Sequence, residues 1–228
     1  MIDKIIHARA PQRAGMYIVG LFILAFGVAM AINSRLGVSP VNAIPYTTGR
    51  IFDTDPGRWA TAMFILFAFM QIAILRKDFR PFDTIQIIFA VIFGYFLDFT
   101  LWIQGGFQLP TYFGQLTMLI GSIILIAAGL VIIISTKIVA LPPEALCMAI
   151  ASKIKGAKFH NVKIVVDSSL VLIAIILSLL IMGDIEGIRE GTALSAILIG
   201  KAIPPIKKVL SPIFCWVYKE ENNHRPIV

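Results

Sequence analysis

The sequence of 228 residues has few of the residues on which most soluble enzymes and metal sites depend. Charged residues make up 14% of it, against about 25% in soluble domains. It has two cysteines and three histidines, and their spacing fits no metal site. It also lacks the P-loop, the dinucleotide-binding G-x-G-x-x-G and the nucleophile motif G-x-S-x-G. We therefore expect no catalytic residues, no metal, no cofactor and no ATP-driven chemistry.

Apolar residues are abundant instead, at 58% of the chain, with a mean hydropathy of +0.86. A charge at the centre of a bilayer costs at least about 2.5 kcal/mol, so uncharged stretches of about 20 residues indicate transmembrane helices. Apolar stretches of this length, with few charged residues, lie near residues 15–34, 59–76, 84–103, 115–136, 164–182 and 191–208, and Asp98 and Lys201 are charges within two of them. The sequence therefore predicts an all-α membrane protein with six transmembrane helices.

The net charge of +7 indicates how those helices are oriented. With the N-terminus placed in the cytoplasm, 15 of the 20 Lys and Arg residues fall in cytoplasmic segments and 4 in external ones. Cytoplasmic loops are enriched in basic residues in this way. The asymmetry predicts a multi-pass protein of the cytoplasmic (inner) membrane with both termini in the cytoplasm. The basic excess then signals orientation, and we expect no nucleic-acid partner.

The two halves of the sequence resemble each other weakly but in order. At offsets of 102 to 106 residues the matched pairs are Pro40 and Pro142, Asn42 and Glu144, Arg58 and Lys163, Ala90 and Ala196, and Gly94 and Gly200. Each repeat, 15–105 and 106–210, contains three spans, and three is an odd number of crossings. The repeats are therefore predicted to be inverted, between cytoplasmic flanks at 1–14 and 211–228, as in many secondary transporters.

Each repeat also contains a short Pro-headed segment, 40–52 in the first and 142–155 in the second. Ser39 is a suitable N-cap and proline suits the first helical position, so both segments are predicted to be helical. They are too short to span a bilayer. Two alternatives stay open: amphipathic helices on the membrane surface, or re-entrant half-helices whose N-termini point into the protein.

Polar residues in these elements are the candidate site residues, because ionisable groups within membrane segments are commonly functional. The substrate-binding candidates are Ser39, Asn42, Gln86, Asp98, Glu144 and Lys201, and the proton-coupling candidates are Asp98 and Asp167. The small-residue pairs Ala90-x-x-x-Gly94 and Ala196-x-x-x-Gly200 are instead predicted to pack helices closely.

Three motifs carry a family resemblance. Gly37-Val38-Ser39-Pro40, Gly94-x-x-x-Asp98 and the stretch from Glu190-Gly191-Thr192-Ala193 to Gly200 resemble the YczE/YyaS/YitT-type bacterial integral membrane proteins, over residues 15–208. The resemblance implies a bacterial cytoplasmic membrane protein of duplicated helical organisation. That family is largely uncharacterised or described as transport-related.

The function expected from the sequence is secondary transport or export of a small polar or charged solute, by alternating access at a midplane site. The partners are then that solute and the lipid bilayer. The alternative is a solute-binding or regulatory membrane subunit that works with a partner protein and does not transport alone. A homodimer is considered as well.

Overall fold

The computed structural model describes residues 10–185 and 187–217, with side chains as far as Pro212. Every regular element in this part of the chain is helical, and it contains no β-strand. The α-helices are α1 (Ala10–Asn33), α2 (Pro40–Phe52), α3 (Pro56–Leu75), α4 (Gln86–Gln104), α5 (Tyr112–Thr136), α6 (Pro142–Lys153), α7 (Phe159–Met182) and α8 (Glu190–Val217). Two short 3-10 helices, Arg76–Asp78 and Pro81–Ile85, connect α3 to α4.

Five segments of the described residues are long and apolar enough to cross a membrane, and they correspond to five of the six predicted spans. They are Pro11–Asn33, Pro56–Asp78, Pro81–Gln104, Tyr112–Thr136 and Phe159–Met182. The sixth predicted span forms helix α8, which continues through Pro204 and Pro205. It is not among the five, and it contains Lys201, Lys207 and Lys208. The all-helical membrane architecture is confirmed, while the six-span arrangement stays a prediction.

Helices α1 and α5 form the centre of the molecule and run antiparallel, since Gly20 lies against Ile133 and Gly27 against Ile126. Their small residues let the two backbones approach closely. Ala25 and Ala29 on α1 are fully buried as well. The largest apolar cluster extends from this pair onto α3 and α4.

The other helices pack around this centre in matched pairs. The first pair of contacts is α4 on α1 and α8 on α5. The second pair is α2 on α7 and α6 on α3. The third pair is α2 with α3 and α6 with α7. In the two repeats, α1 corresponds to α5, α2 to α6, α3 to α7 and α4 to α8. If every helix is replaced by its counterpart, each contact named above becomes another contact named above. One contact has no counterpart: α3 packs closely against α4, whereas α7 and α8 make little or no contact over the described residues.

The short helices α2 and α6 begin at Pro40 and Pro142, as their sequences predict. Their first turns lie inside the protein, because Pro40 and Asn42 of α2 and Pro142 and Pro143 of α6 are all buried. Both helices therefore place their N-terminal residues among the long helices. This position brings Asn42 and Glu144 toward the protein interior.

Candidate functional site

A cluster of three charged side chains joins α6 to α7. Lys163 Nζ lies 3.2 Å from Asp167 Oδ2 and 3.6 Å from Glu144 Oε1. All three side chains are largely buried, with exposed fractions of 30% for Lys163, 21% for Glu144 and 16% for Asp167. Two carboxylates therefore share one ammonium group. We call these three residues the charged cluster.

Local structure accounts for the charged cluster. Glu144 lies in the first turn of α6, where a carboxylate interacts favourably with the positive end of the helix dipole. Lys163 and Asp167 are four residues apart on α7 and so lie on one face of that helix. Because α6 packs against α7, the Glu144 side chain meets that face. Cys147 follows Glu144 by one turn and is also buried.

Two buried oxygens, one in the charged cluster and one near it, have no hydrogen-bond partner among the residues that the structure describes. One is Glu144 Oε2 and the other is the hydroxyl of Tyr17 on α1, a residue that is fully buried and within electrostatic reach of Glu144. The Tyr17 ring packs against Phe89 with ring centroids 4.0 Å apart. Buried polar atoms without partners are uncommon in folded proteins. The region around Glu144 therefore has unused hydrogen-bonding capacity.

The matching position in α2 is neutral. Asn42 donates from Nδ2 to Ser39 Oγ at 2.8 Å, and its buried Oδ1 has no hydrogen-bond partner in the described part of the chain. Both residues are buried, Ser39 at 7% and Asn42 at 5% exposure. The structure thus brings together two predicted site residues, Ser39 and Asn42, at the N-terminus of α2. Like Glu144 in α6, Asn42 retains one unsatisfied oxygen in the first turn of its helix.

Gln86 and Asp98, both on α4, contact α3. Gln86 is fully buried and donates from Nε2 to Gln71 Oε1 at 2.6 Å. Asp98 accepts a hydrogen bond from the backbone N–H of Gly57 at 2.6 Å, in the first turn of α3. Both contacts hold α4 against α3. Their roles in substrate binding or proton coupling stay predictions.

The remaining candidate, Lys201, has an exposed side chain on α8. The candidates therefore lie in several places: Glu144 with Asp167, Ser39 with Asn42, Gln86 and Asp98 along the α3–α4 contact, and Lys201 on the surface. Sequence reasoning missed Lys163, which it counted among the cytoplasmic basic residues. Its spacing of four residues from Asp167 was a signal that could have identified the pair.

An apolar cavity lies elsewhere, beside the connection between α4 and α5. Its volume is about 310 Å³, and its lining includes Phe26, Met30, Gln104 and Phe107. None of the predicted site residues lines it. The amide of Gln104 bonds to Asn33 and to the carbonyl of Phe26, so its polar groups are occupied. The cavity therefore offers a mainly apolar lining, which suits apolar groups better than a polar solute.

Two of the motifs that carried the family resemblance contact each other in the structure. Gly191 donates its N–H to the carbonyl of Leu36 at 2.8 Å. Gly37 has a φ of 130° and approaches Thr192 so closely that a Cβ at this position would overlap the Thr192 side chain. Glycine is the residue that tolerates such a conformation and such a contact. These motifs therefore dock the start of α8 onto the connection between α1 and α2.

Comparison with known proteins gives a relative that is a membrane protein. The chain is 30% identical, over 139 residues, to the uncharacterized membrane protein YczE of Bacillus subtilis (strain 168). The alignment covers 60% of this chain and 62% of that relative, so the chain spans less than two thirds of the length of the relative it matches. No solved structure matches the chain.

The membrane-protein relative and the five apolar helices together support a multi-pass membrane protein. A family model matches residues 11–208, which is most of the chain and includes every candidate site residue. The chain therefore belongs to the family described as "Family of unknown function (DUF6198)".

Proposed function

We propose that the protein is a secondary transporter or exporter of a small polar or charged solute, in which two inverted three-helix repeats alternate access to a site between them. The observation that carries this proposal is the matched set of helix contacts with one unmatched member. Exchange of α1–α4 for α5–α8 reproduces every pairing except that of α3 with α4.

An inverted repeat explains both parts of that observation. In transporters built this way, the halves share a fold but take up different conformations, and exchanging those conformations opens the opposite side. The close contact of α3 with α4 corresponds to one conformation of a repeat. The separation of α7 from α8 corresponds to the other. Alternating access then requires α8 to close on α7 while α4 moves away from α3.

The short helices supply the solute site in this proposal. Their buried first turns favour the re-entrant arrangement over a position on the membrane surface. Ser39 and Asn42 bind the solute from α2, and Glu144 binds it from α6. Gln86, Asp98 and Lys201 contribute as the helices move. A gradient supplies the energy, with Asp98 or Asp167 as the proton-coupling carboxylate.

The location of the protein is part of the proposal. We place it in a bacterial cytoplasmic membrane with both termini in the cytoplasm, on the basis of the 15 basic residues that fall in alternate segments. Its partners are the solute and the surrounding lipid, and it carries out no chemical conversion. Single cysteines at Asp55 and Lys155, introduced without Cys147 and Cys215, should be labelled from opposite sides. Labelling of both from one side would contradict the inverted arrangement.

Solute flux tests the transport proposal directly. The purified protein is reconstituted into lipid vesicles, and uptake of labelled amino acids, organic acids and amines is measured under an imposed pH gradient. We expect uptake of at least one class, lost in Glu144→Gln. The matched control is Glu190→Gln, since Glu190 is an acidic residue whose side chain is 51% exposed and pairs with Arg189. Uptake that is equal in protein-containing and protein-free vesicles would contradict transport by this chain alone.

A second function is favoured by the surface of α7 and α8. Leu180 of α7 is 78% exposed and Val209 of α8 is 75% exposed, and large apolar residues extend along both helices. A partner subunit or second copy in the membrane could cover this surface. The chain would then be a solute-binding or regulatory subunit. Absence of flux, together with stable co-purification of a partner, supports this alternative.

A further inference from the structure

The charged cluster has an unbalanced charge. Glu144 and Asp167 contribute two carboxylates, and Lys163 contributes one ammonium group within reach of both. With all three ionised, the cluster has one net negative charge among largely buried side chains. Uncompensated charge is costly away from water, so such groups bind a counter-ion or a proton.

Four other titratable groups of α1, α6 and α7, all within the described residues, do not supply the missing positive charge. Tyr17 from α1 and Cys147 from α6 are both neutral when protonated, and both are buried. Lys153, at the far end of α6, already pairs with Asp78 at 2.6 Å. His160 lies one turn before Lys163 on α7 but its side chain is exposed and solvated.

We propose that the charged cluster is the coupling-ion site of the protein and that it binds one proton, shared between Glu144 and Asp167 on the two sides of Lys163. This inference rests on the transport proposal for its role and on the geometry of the charged cluster for its chemistry. The unpartnered Glu144 Oε2 marks the position where a proton can be added without breaking an existing hydrogen bond. Because the two carboxylates interact through one lysine, the proton belongs to the pair and not to one residue.

The arrangement explains how binding of one proton changes the contact between α6 and α7. With the proton on Glu144, Lys163 pairs with Asp167 within α7. With the proton on Asp167, Lys163 pairs with Glu144 and connects the two helices. The position of Lys163, 3.2 Å from one carboxylate and 3.6 Å from the other, requires only a small movement between these states.

Infrared difference spectroscopy of the reconstituted protein tests the inference, with the proton itself as the probe. A protonated carboxyl group has a C=O stretching band that a carboxylate lacks. The difference spectrum is recorded between an alkaline buffer and one near pH ~6, where exposed glutamates, with an ordinary pKa of about 4.3, stay ionised. In the wild type, charge balance predicts the band of one protonated carboxyl group in acidic buffer. Glu144→Gln and Asp167→Asn should each lack this band, because Lys163 neutralises the one carboxylate that remains. Lys163→Met, where it folds, gains one such band. Glu190→Gln leaves the spectrum unchanged.

The outcomes separate this inference from the transport proposal. A carboxyl band that persists in both Glu144→Gln and Asp167→Asn overturns proton binding at the charged cluster, whatever the flux measurements show. A spectrum that responds to NaCl and not to choline chloride at constant pH also overturns it, since the ion is then sodium. If both variants lose the band but the wild-type protein moves no solute, the proton site is supported and transport by this chain without a partner is contradicted.

Discussion

The contact between α3 and α4 differs sharply from the relation between α7 and α8, although both helix pairs have related sequences. Gly94 of α4 packs so tightly on α3 that a Cβ would overlap Thr61 and the carbonyl of Gly57. The matching Gly200 of α8 has open space around it. The same small-residue motif is thus an interface in one half and an exposed surface in the other. A small-residue pair permits close packing but does not by itself produce it.

Two differences in the partner residues account for this contrast. At the offset of 105 that matches Arg58 with Lys163, Gly57 corresponds to Val162, so α7 has a branched side chain where α3 has none. At the offset of 106, Asp98 corresponds to Pro204, so α8 has no carboxylate to accept a backbone hydrogen bond. The α3–α4 contact therefore has a glycine, Gly57, that lets Gly94 approach closely, and a hydrogen bond from that glycine to Asp98, which we call the polar anchor. Substitutions at Gly94 and Asp98 separate the two contributions.

The largest effect is expected from a bulky side chain at position 94, where the contact with α3 leaves no room for one. Gly94→Leu places a bulky side chain against the backbone of Gly57 and forces α4 away from α3, because the backbone cannot move aside as a flexible side chain could. Overpacking of this kind costs about 3 kcal/mol. Thermal unfolding in detergent should show a large loss of stability. Gly200→Leu, the matched control on α8, should unfold like the wild type, and equal losses would remove the distinction between the two helix pairs.

A smaller effect is expected at the polar anchor. Asp98→Ala removes the acceptor of the 2.6 Å hydrogen bond from Gly57 N–H and leaves that donor unpaired within the helix contact. Hydrogen bonds to charged groups contribute about 2 kcal/mol. The control is Asp55→Ala at the same end of α3, since Asp55 forms an exposed ion pair with Arg58 and exposed pairs contribute little. Unfolding should begin earlier for Asp98→Ala only; an equal change in both variants would contradict a specific anchor.

The glutamine pair should contribute less again. Gln71→Leu leaves the buried amide of Gln86 without its 2.6 Å partner, at a cost of about 1 kcal/mol. The double variant Gln71→Leu/Gln86→Leu replaces both partners by apolar groups and should recover most of the loss. The same unfolding measurement provides the comparison. A double variant less stable than either single one would indicate that the pair has partners beyond each other.

Sequence reasoning predicted those features of the molecule that depend on local composition. The length of apolar, sparsely charged segments identified five of the spans, and Pro40 and Pro142 correctly marked the starts of the two short helices. The charged cluster was predicted in two of its three residues. Glu144 and Asp167 were both candidates, but the lysine between them had been interpreted as an orientation charge. The sequence alone does not distinguish a basic residue at the membrane surface from one directed into the protein.

Long-range partners were harder to predict for a related reason. Asp98 finds its partner in a backbone N–H of a residue 41 positions earlier, and a backbone donor has no sequence signature. The sequence also could not predict the separation of α7 from α8, because α8 carries the same small-residue motif as α4. What differs is the opposing surface, and that surface is defined only once the helices are paired. Sequence therefore predicts which residues permit close contact better than which of them make it.

The smallest expected effect is a minor population in which α7 and α8 come together. Phe64 and Phe93 stack across the α3–α4 contact with ring centroids 5.2 Å apart, and their matched positions are Ser169 and Ile199. If the two repeats exchange conformations, Ser169→Cys/Ile199→Cys should form a disulfide slowly under oxidation in membranes, in a background without Cys147 and Cys215. Phe64→Cys/Phe93→Cys should form one rapidly, because that contact is already made.

A third cysteine pair determines what slow cross-linking means. Ser169→Cys/Val209→Cys places its second cysteine ten residues further along α8, about 15 Å away at the rise of a helix. Random collision of α7 with α8 would cross-link this pair as readily as the matched one, whereas a defined closure would favour Ser169 with Ile199. Because disulfide formation traps even a minor state, the matched pair should accumulate with time while the third pair does not. Equal rates for the two pairs would mean that α8 has no specific docking position on α7. The contrast between the halves would then be a fixed asymmetry of the fold, and the two repeats would not exchange conformations.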